Sequence, residues 1–565
     1  MTNKAIARVF KETADLIELT GGNSFRARAF SRAARTIERM DETISSLHAE
    51  GALTDVDGIG EGLAAQIDEL LKTGSFSDHE ELLSSLPPGL PDVMNVKGLG
   101  AKKVRRLWQE LDVTSLDELE HAAKSGQIAS LRGFGKKTQE NIIANVQQQR
   151  AYQKRRRYAD AYTEAAPVLA QLQNHPAITR AEWAGPMRRK LETVDRVNFV
   201  IVCTEEAALD QILLDAGLQN VEAGGENVTA TLPDGLKVVI HLAGPDSFGT
   251  DLWKATGPDE HIQAYEQSHG APAPFAEEEE VFAAAHLPAL PPELRDDPYW
   301  LEQAASNGLP ELIELADLRG TLHNHSTYSD GAHSLKEMAD AARELGYSYF
   351  GICDHSRSLK VANGLSIDRV HKQQDEIKNL NTAYAADEGD AFRIFSGIES
   401  DILQDGTLDY PEEVLASFDF VVASVHTGFG MTEAEATQRI ITAVSNPFTS
   451  ILGHPTGRLL LRREGYPIDH EAIIEACAAH NVAIELNANP YRLDLDWRWI
   501  RHATEAGVPI AINPDAHAIN QLEYVRWGVA VARKGGLTPE QCLNALTLEE
   551  FSTWLQARQP EVATH

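Results

Sequence analysis

The chain shows three different patterns of hydrophobic and polar positions. From about residue 317 to the end, short apolar runs such as "YFGIC", "FDFVVASV", "TSILG" and "VPIAIN" alternate with helical stretches such as "SLKEMADAARELG". Alternation of strand and helix over this length predicts a β/α barrel, in which functional side chains collect at the carboxyl ends of the strands. The first part, opening on "MTNKAIARVFKETADLIEL", has the spacing of amphipathic helices.

Between these two parts, residues 192–200 read "ETVDRVNFV", in which Val and Phe alternate with polar residues. This pattern predicts a β-strand entering a core. Arg196 and Asn198 are two positions apart and therefore point to the same face of the strand. Two carboxylates at these positions would hold a divalent metal, whereas a cation and an amide do not. The sequence of this strand therefore indicates that a metal site was either never present here or has been lost.

One glycine pattern recurs three times in the first 150 residues, in "VDGIGEGLAAQI", "VKGLGAKKVRRL" and "LRGFGKKTQENI". Each copy has Gly-apolar-Gly before a helical stretch, so that the backbone N–H groups at the helix start are open to a phosphate. The alternative is three structural turns in a helical bundle, but the paired lysines after two copies favour DNA backbone binding without sequence readout. The predicted DNA-binding residues are Gly58, Gly60, Gly98, Gly100, Lys102, Lys103, Gly133, Gly135, Lys136 and Lys137.

The distribution of charge supports this assignment. The net charge is −33, but residues 1–157 carry 23 Lys and Arg against 22 Asp and Glu, while the remaining 408 residues carry 28 against 62. The basic run "RAYQKRRR" at residues 150–157 fits either a solvated helix face or a phosphate footprint, and the neighbouring hairpins favour the second. The Arg-rich segment "GGNSFRARAFSRAARTI" predicts a helix with Phe25 and Phe30 facing the core.

The rest of the composition indicates a soluble globular protein of several domains, with 43% hydrophobic and 24% charged residues in 565. No run of 18 apolar residues and no signal peptide is present, and the four cysteines are scattered, which disfavours disulfides and thiolate zinc sites. We therefore expect a cytoplasmic, nucleoid-associated protein with no membrane partner. The oligomeric state is left open, with a monomer as the default.

The predicted barrel places nitrogen and oxygen donors at successive strand ends. "DLRGTLHNHSTYSDG" supplies a His-x-His pair on one face of an extended segment, and later apolar runs are each followed by further donors. Without sulfur the set suits Mn, Zn or Fe, with Mn²⁺ favoured. It is too large for one open catalytic ion and predicts two or three divalent ions, as in multi-metal phosphoesterases. The predicted ligands, which are also the predicted catalytic residues, are His323, His325, Asp330, His355, Glu399, His426, His454, Asp515 and His517.

These segments resemble the polymerase-and-histidinol-phosphatase (PHP) superfamily of phosphoesterases. The resemblance extends from about residue 317 to the end, and every ligand position of the superfamily's trinuclear site is filled. It implies a distorted seven-stranded β/α barrel in which Glu399 bridges two of the ions.

The order of hairpins, central segment and PHP barrel resembles the bacterial family X DNA polymerases over nearly the whole chain. In that family the palm begins with Gly-Ser and an arginine pair, followed by Asp-x-Asp on one strand and a third Asp on a neighbouring strand. Here "AGPMRRKLETVDRVNFVIV" keeps Gly185 and both arginines but departs from the motif elsewhere. The departures at the expected serine and the three expected aspartates are Pro186, Arg196, Asn198 and Val239.

The resemblance implies a multidomain α+β and α/β protein. The expected domains are a small lyase-like helical DNA-binding domain (1–85), helix-hairpin-helix fingers (86–150), a degenerate nucleotidyltransferase-like palm (151–240), a thumb (241–300), a linker (301–316) and the PHP barrel (317–565). A register error that brings Asp195 or Asp234 into the palm site would restore one carboxylate but not three. Lyase activity is not expected, because Gln66 occupies the place of the Schiff-base lysine and only Lys72 follows.

The leading hypothesis is a metal-dependent 3′–5′ exonuclease or 3′-end processing enzyme of DNA repair that acts on gapped or nicked DNA or on 3′ ends. The first alternative is a gap-filling DNA polymerase that retains weak synthesis, which the palm substitutions disfavour. The others are a DNA-end binding scaffold, which would not need nine metal donors, and a small-molecule phosphatase, which would not need three hairpins.

Overall fold

The computed structural model describes residues 3–38, 40, 43–56, 58–224, 227–387 and 391–558. The chain forms two compact units. The first is Met1–Gln153 with Lys360–Asn363, and the second is Lys154–Leu359 with Gly364–His565. Within the described residues, none of the helices is both long enough and apolar enough to cross a membrane.

The first unit is built from helices around a core rich in aromatic rings. Phe10, Phe30 and Phe76 are buried with ring centroids 5.2–6.1 Å apart. Its helices are α1 (Asn3–Thr20), α2 (Ser24–Glu38), α3 (Ile44–Glu50), α4 (Glu61–Thr73), α5 (Ser77–Ser84), α6 (Leu90–Met94), α7 (Ala101–Leu111), α8 (Leu116–Lys124), α9 (Gln127–Ser130) and α10 (Lys136–Gln153).

The prediction that Phe25 and Phe30 both face the core is wrong for Phe25. Phe30 is buried, but the side chain of Phe25 is 76% exposed and lies under the Arg28 guanidinium at 4.6 Å. The two residues are five positions apart on α2, and at 3.6 residues per turn five positions correspond to about 140° around the helix axis. They therefore lie on different faces.

The second unit begins with a mixed five-stranded sheet in the order β2-β4-β7-β6-β5, where only β4 and β7 are parallel. One face packs on α11 and α13 and the other on α14. The strands are β1 (Arg156–Arg157), β2 (Ile178–Ala184), β3 (Thr193–Val194), β4 (Arg196–Cys203), β5 (Gln219–Gly224), β6 (Asn227–Thr231) and β7 (Lys237–Leu242). The helices are α11 (Tyr158–Asn174), α12 (Gly185–Arg188), α13 (Leu209–Asp215), α14 (Phe248–Thr256), α15 (Asp259–His269), α16 (Glu278–Ala284) and α17 (Pro298–Ser306).

The remainder of this unit is the predicted β/α barrel, which is confirmed. Seven parallel strands follow one another in chain order: β8 (Gly320–Thr321), β9 (Tyr349–Ile352), β10 (Arg393–Asp401), β11 (Phe420–Ser424), β12 (Ile451–Leu452), β13 (Ala483–Asn487) and β14 (Ile510–Asn513). The helices are α18 (Leu335–Glu344), α19 (Ile367–Ala385), α20 (Glu412–Leu415), α21 (Glu433–Val444), α22 (His470–His480), α23 (Ile500–Glu505), α24 (Val525–Lys534) and α25 (Leu548–Gln556).

Hydrogen bonds just beyond the first and last strands bring the barrel close to closure. A parallel bridge joins Asn324 to Ala516, and the His325 N–H donates to the Ala516 carbonyl at 2.8 Å. Six of the seven strands, all except β10, are buried at every position, as expected for parallel strands covered on both faces. The closure places the carboxyl ends of the strands around one centre.

The barrel also packs directly on the five-stranded sheet region. Lys534 on α24 is fully buried, and its Nζ donates to the Asp296 carboxylate and, at 3.3 Å, to the Arg189 carbonyl. The rings of Tyr158 and Trp527 meet edge to face at 5.5 Å. The two parts of the second unit therefore share a buried interface.

Candidate metal centre and nucleic-acid interface

The structure gathers all nine predicted donors at the carboxyl end of the barrel. His323 and His325 follow β8, with ring centroids 5.2 Å apart. Glu399 lies within β10, and the other donors lie in the segments that follow the barrel strands. The nine are buried or half-buried, so that the cluster lies below the protein surface.

Glu399 is the centre of this cluster. Its Oε1 lies 3.3 Å from His323 Nε2, 3.2 Å from His426 Nε2 and 3.0 Å from His454 Nε2. Its Oε2 lies 2.7 Å from His355 Nδ1. The two oxygens thus face different histidines, which is the arrangement required of a carboxylate that bridges two cations.

Two further carboxylates, Asp330 and Asp515, lie near the remaining histidines of the cluster. Asp330 Oδ1 lies 3.2 Å from His517 Nε2 and 3.4 Å from His355 Nε2. Asp515 Oδ1 lies 3.2 Å from His325 Nε2. Three overlapping groups of donor atoms lie within metal-binding reach: His325, Asp330, His355 and His517; His323, His325 and Asp515; and His355, Glu399 and His426.

Several buried polar atoms of this cluster have no hydrogen-bond partner in the described chain, as expected of atoms that bind divalent cations. Among the described residues, several buried nitrogen and oxygen atoms have no hydrogen-bond partner, including His323 Nε2, both ring nitrogens of His325, Asp330 Oδ1 and Glu399 Oε2. Glu399 Oε2 is only 2.7 Å from His355 Nδ1, yet the pair lacks hydrogen-bond geometry. Buried polar atoms are normally satisfied, and lone pairs that converge without a proton between them are expected where a cation binds.

Two carboxylates that the sequence analysis missed orient these histidines. Glu485, fully buried on β13, accepts a hydrogen bond from His323 Nδ1 at 2.7 Å. Asp401 accepts one from His426 Nδ1 at 2.5 Å. Each bond fixes the tautomer that leaves Nε2 free for a metal. Asp401 had a sequence signal, because it follows Glu399 by two positions on the same face of β10, whereas Glu485 lies inside an apolar strand.

The charges within the cluster are strongly coupled. Burial favours the neutral acid at Glu399, but His426, His323 and His355 outweigh it and lower the pKa of this carboxyl well below its usual value. Burial disfavours a charged imidazole at His426, but Glu399 and Asp401 raise its pKa to about 10. Protons and divalent cations therefore compete for the same lone pairs.

The three glycine hairpins share one backbone geometry. The first glycines, Gly58, Gly98 and Gly133, have φ of 87°, 87° and 90°, a conformation that L-residues rarely adopt. Helices α4, α7 and α10 begin directly after the second glycines, Gly60, Gly100 and Gly135. These second glycines are not in the left-handed region, and within the described chain a Cβ at any of them would meet nothing within 4 Å. The surfaces above these helix starts are therefore open to an incoming backbone.

The predicted lysines lie beside two of these helix starts. Lys102, Lys136 and Lys137 are exposed, and the Lys102 side chain is 83% accessible with Glu18 at 3.6 Å. Lys103 donates to the Gly98 carbonyl at 3.0 Å and so stays within its hairpin. The arginines at 155–157 are different, because they belong to the second unit and contact other residues of it. Arg156 pairs with Asp234 at 2.7 Å and Arg155 donates to Thr193.

Comparison with known proteins identifies the family. Residues 1–76 match a helix-hairpin-helix domain, residues 90–147 a SAM-like helix-hairpin-helix tandem, and residues 321–489 the PHP domain. The DNA polymerase/3′-5′ exonuclease PolX of Bacillus subtilis is 36% identical over an alignment that covers 98% of this chain and 100% of that protein. The chain belongs to the bacterial PolX family of family X DNA polymerases. A probable phosphatase of Thermoanaerobacter is 28% identical, covering 39% of this PolX chain and 88% of its own length.

In this PolX chain three of the positions at which a palm carboxylate was expected, Arg196, Asn198 and Val239, lie together on the five-stranded sheet. Asn198 on β4 is paired in register with Val239 on β7, and Arg196 with Lys237. Asn198 Nδ2 lies 3.1 Å from His241 Nε2. Neither β4 nor β7 contains a carboxylate. This face of the five-stranded sheet therefore presents amide, imidazole and cationic groups on β4 and β7.

The two carboxylates nearest these strands, Asp195 and Asp234, each have an arginine partner. Asp195, before β4, lies 3.6 Å from Arg196, and Asp234, in the turn before β7, accepts from Arg156. Pro186 occupies the first turn of α12, after Gly185 with φ of 55°. A Cβ at Gly185 would lie 2.6 Å from Asn198 Oδ1, so that a glycine is required for this close approach.

Proposed function

We propose that this PolX chain is a metal-dependent 3′–5′ exonuclease or 3′-end processing enzyme of DNA repair, with its PHP barrel as the hydrolytic domain. The observation that carries this proposal is the gathering of nine nitrogen and oxygen donors, eight of which form three overlapping groups, with buried atoms among them that have no hydrogen-bond partner in the described chain. The printed name of the Bacillus subtilis relative, which includes 3′-5′ exonuclease, supports the same activity.

In this proposal the nine donors hold two or three divalent ions, which when bound supply activation of water and neutralisation of charge on the phosphodiester. Glu399, whose two oxygens face different histidines, would hold two of these ions. Glu485 and Asp401 keep His323 and His426 in the tautomer that ligates. The donor set contains no sulfur, which suits Mn²⁺ with Zn²⁺ or Fe²⁺ as alternatives.

The hairpins of the first unit would hold gapped or nicked DNA, or a 3′ end, without reading sequence. Support comes from the three open helix starts at Gly60, Gly100 and Gly135 and from the exposed lysines that follow two of them. Backbone N–H groups at a helix start and lysine charges both bind phosphate rather than base edges.

We further propose that the palm does not support two-metal DNA synthesis. Phosphoryl transfer of this kind requires carboxylates that hold Mg²⁺ between the primer hydroxyl and the triphosphate. Support comes from the absence of a carboxylate on β4 and β7 and from the cations Arg196 and Lys237 on the same face. Gap-filling synthesis is the second candidate function, favoured by the words DNA polymerase in the name of the Bacillus subtilis relative.

One assay separates these functions. A primer labelled at its 5′ end and annealed in a short gap is incubated with metal-stripped protein, Mn²⁺, and either with or without dNTPs. Shortening of the primer in both conditions is the expected result. Extension that depends on dNTPs would refute the palm proposal and establish a polymerase.

The double variant His323→Ala/His325→Ala tests the barrel as the source of hydrolysis. It is expected to lose primer shortening while keeping its affinity for the gapped DNA, because the hairpins are unchanged. His480→Ala, at the exposed end of α22 in the same barrel, is the matched control and should shorten the primer normally. Unchanged shortening by the double variant would show that another site is responsible.

A further inference from the structure

An arginine lies at the edge of the metal cluster without belonging to the donor set. Arg492, in the loop after β13, has Nε 3.4 Å from Asp515 Oδ2 and a side chain 18% exposed. A planar guanidinium at this edge has the geometry and charge to bind a phosphate oxygen.

The backbone around Arg492 is strained. The next residue, Leu493, has φ of 44°, and Asp515, which Arg492 contacts, has φ of 52°. A non-glycine residue in the left-handed region typically costs on the order of 1 kcal/mol and persists only where surrounding contacts hold it. The loop therefore needs contacts from outside itself to keep Arg492 in place.

Arg458 supplies most of these contacts. Its Nε donates to the Arg492 carbonyl at 3.0 Å and its Nη2 to the Leu493 carbonyl. Its Nη1 lies 2.9 Å from Asp496 Oδ2. The Arg458 side chain is only 16% exposed, so these bonds are largely shielded from water. One side chain thus fixes the carbonyls on both sides of the strained peptide.

The palm holds this arrangement from the other side. Glu192 Oε1 lies 3.3 Å from Arg458 Nη2. The Arg157 guanidinium lies 3.5 Å from the ring centroid of Tyr491, directly before Arg492. Arg157 on β1 is paired with Thr193 on β3, and Glu192 directly precedes Thr193, so that both contacts originate at one end of this small two-stranded sheet. Two palm side chains therefore contact the loop or the arginine that holds it.

We propose that Arg492 binds a phosphate of the DNA strand beside the metal cluster, and that Glu192 and Arg157 are positioning residues by which the palm keeps Arg492 in place. The proposal rests on the proposed hydrolytic function of the barrel. It gives the palm a role in the barrel's reaction that needs no nucleotide chemistry in the palm.

A double-mutant cycle on phosphate binding tests the proposal without relying on activity. Titration calorimetry measures the affinity of Mn²⁺-loaded protein for inorganic phosphate. Arg492→Ala is expected to weaken binding by ~10-fold or more, since a charge-assisted hydrogen bond is lost. Glu192→Gln, which keeps the side-chain shape, is expected to weaken it by ~3-fold to ~10-fold. In the Arg492→Ala background, Glu192→Gln should have no further effect.

The controls separate positioning from general damage. Glu205→Gln, an exposed palm carboxylate before α13, should bind phosphate like the unaltered protein. Bound manganese, measured by elemental analysis, should be equal in all variants. Additive effects in the double variant, a loss of manganese in Glu192→Gln, or no effect of Arg492→Ala would each overturn the proposal.

The same variants are then assayed on the gapped primer. The expected result is a higher KM for DNA in Arg492→Ala and Glu192→Gln. If the unaltered protein binds phosphate as expected but does not shorten the primer, the proposed exonuclease function fails while the role of Arg492 stands. The two failures are therefore distinguishable.

Discussion

The fully buried carboxylate of Glu485 allows a sharp prediction about the metal centre. Its Oε1 accepts from His323 Nδ1 at 2.7 Å and from Asn513 Nδ2 at 3.0 Å. Its Oε2 accepts from the His454 N–H at 2.8 Å and from Asn487 Nδ2 at 3.2 Å. Four donors therefore converge on the two oxygens of one side chain.

The substitution Glu485→Gln keeps the volume of the side chain but replaces one oxygen by an NH₂ group. Whichever way the amide turns, two of the four donors face another donor. Each buried donor left without an acceptor costs about 1–3 kcal/mol. If the NH₂ faces His323, a shift of the His323 proton to Nε2 relieves one clash, but it removes the lone pair that would ligate a metal.

After the His323 proton shift one donor remains without an acceptor, so the metal-free protein should be destabilised by about 1–3 kcal/mol. The metal affinity should fall by ~10–100-fold, the usual effect of losing a partner of a ligating histidine. Thermal unfolding of the metal-free protein measures the first quantity, and Mn²⁺ titration against a competing chelator measures the second. Glu540→Gln, an exposed glutamate outside the centre, is the control. An unchanged Mn²⁺ affinity in Glu485→Gln would refute the assignment of His323 as a ligand oriented by Glu485.

Three further predictions concern other parts of the chain. Gly100→Ala should leave the stability of the fold unchanged, because a Cβ there meets no described atom within 4 Å. It should nevertheless weaken DNA binding in a mobility-shift assay. Gly98→Ala should destabilise the fold by about 1 kcal/mol, because Gly98 has φ of 87°. Burial, with Arg295 and Arg189 nearby, lowers the pKa of His261 to about 3. The unfolded chain takes up this proton near pH 6.5 and the folded chain only near pH 3, so stability should fall by about 4–5 kcal/mol as the pH drops through that window, and His261→Gln should remove this part of the slope of unfolding temperature against pH. Chelation should lower the unfolding temperature, and added Mn²⁺ should restore it. At a free Mn²⁺ concentration one hundred times Kd, the free energy of unfolding should rise by about 2.7 kcal/mol. An unchanged unfolding temperature would argue against a metal centre.

The sequence predicted the barrel and the position of its donors because both follow from one periodic signal. Each apolar run marks a parallel strand, and a polar residue just past the run must lie at the rim that all strands share. Glu485 was not predicted as part of the site because it lies within "VAIELNA", where the apolar neighbours on both sides indicate only a buried strand. Arg492 was not predicted to lie beside the metal cluster, because its position depends on loop contacts with Arg458 that no local sequence pattern indicates.

Side-chain pairing was the other level that the sequence could not supply. The run "KRRR" was expected to add charge for phosphate, but Arg155, Arg156 and Arg157 each contact a group within the second unit. A count of charges does not distinguish a cation with an internal partner from one that faces solvent. Of the hairpin lysines, Lys102, Lys136 and Lys137 are exposed as the pattern predicts, whereas Lys103 bonds to the Gly98 carbonyl.

The palm proposal and the packing of the second unit explain each other. Arg188 and Arg295 share Glu278, at 2.7 Å each, and Arg189 lies 3.0 Å from Asp296, which also accepts from the buried Lys534 of the barrel.

Removing one partner of a buried ion pair typically costs about 3–5 kcal/mol, because the other charge is left without compensation. The palm residues that match the family motif, Gly185, Arg188 and Arg189, are thus required by internal contacts whether or not nucleotides bind. The positions that depart from it, such as Arg196 and Val239, lie on the sheet face where two-metal synthesis would need carboxylates, so their replacement removes no internal ion pair of this kind. A palm that has lost synthesis but still holds the barrel would keep the first group and release the second.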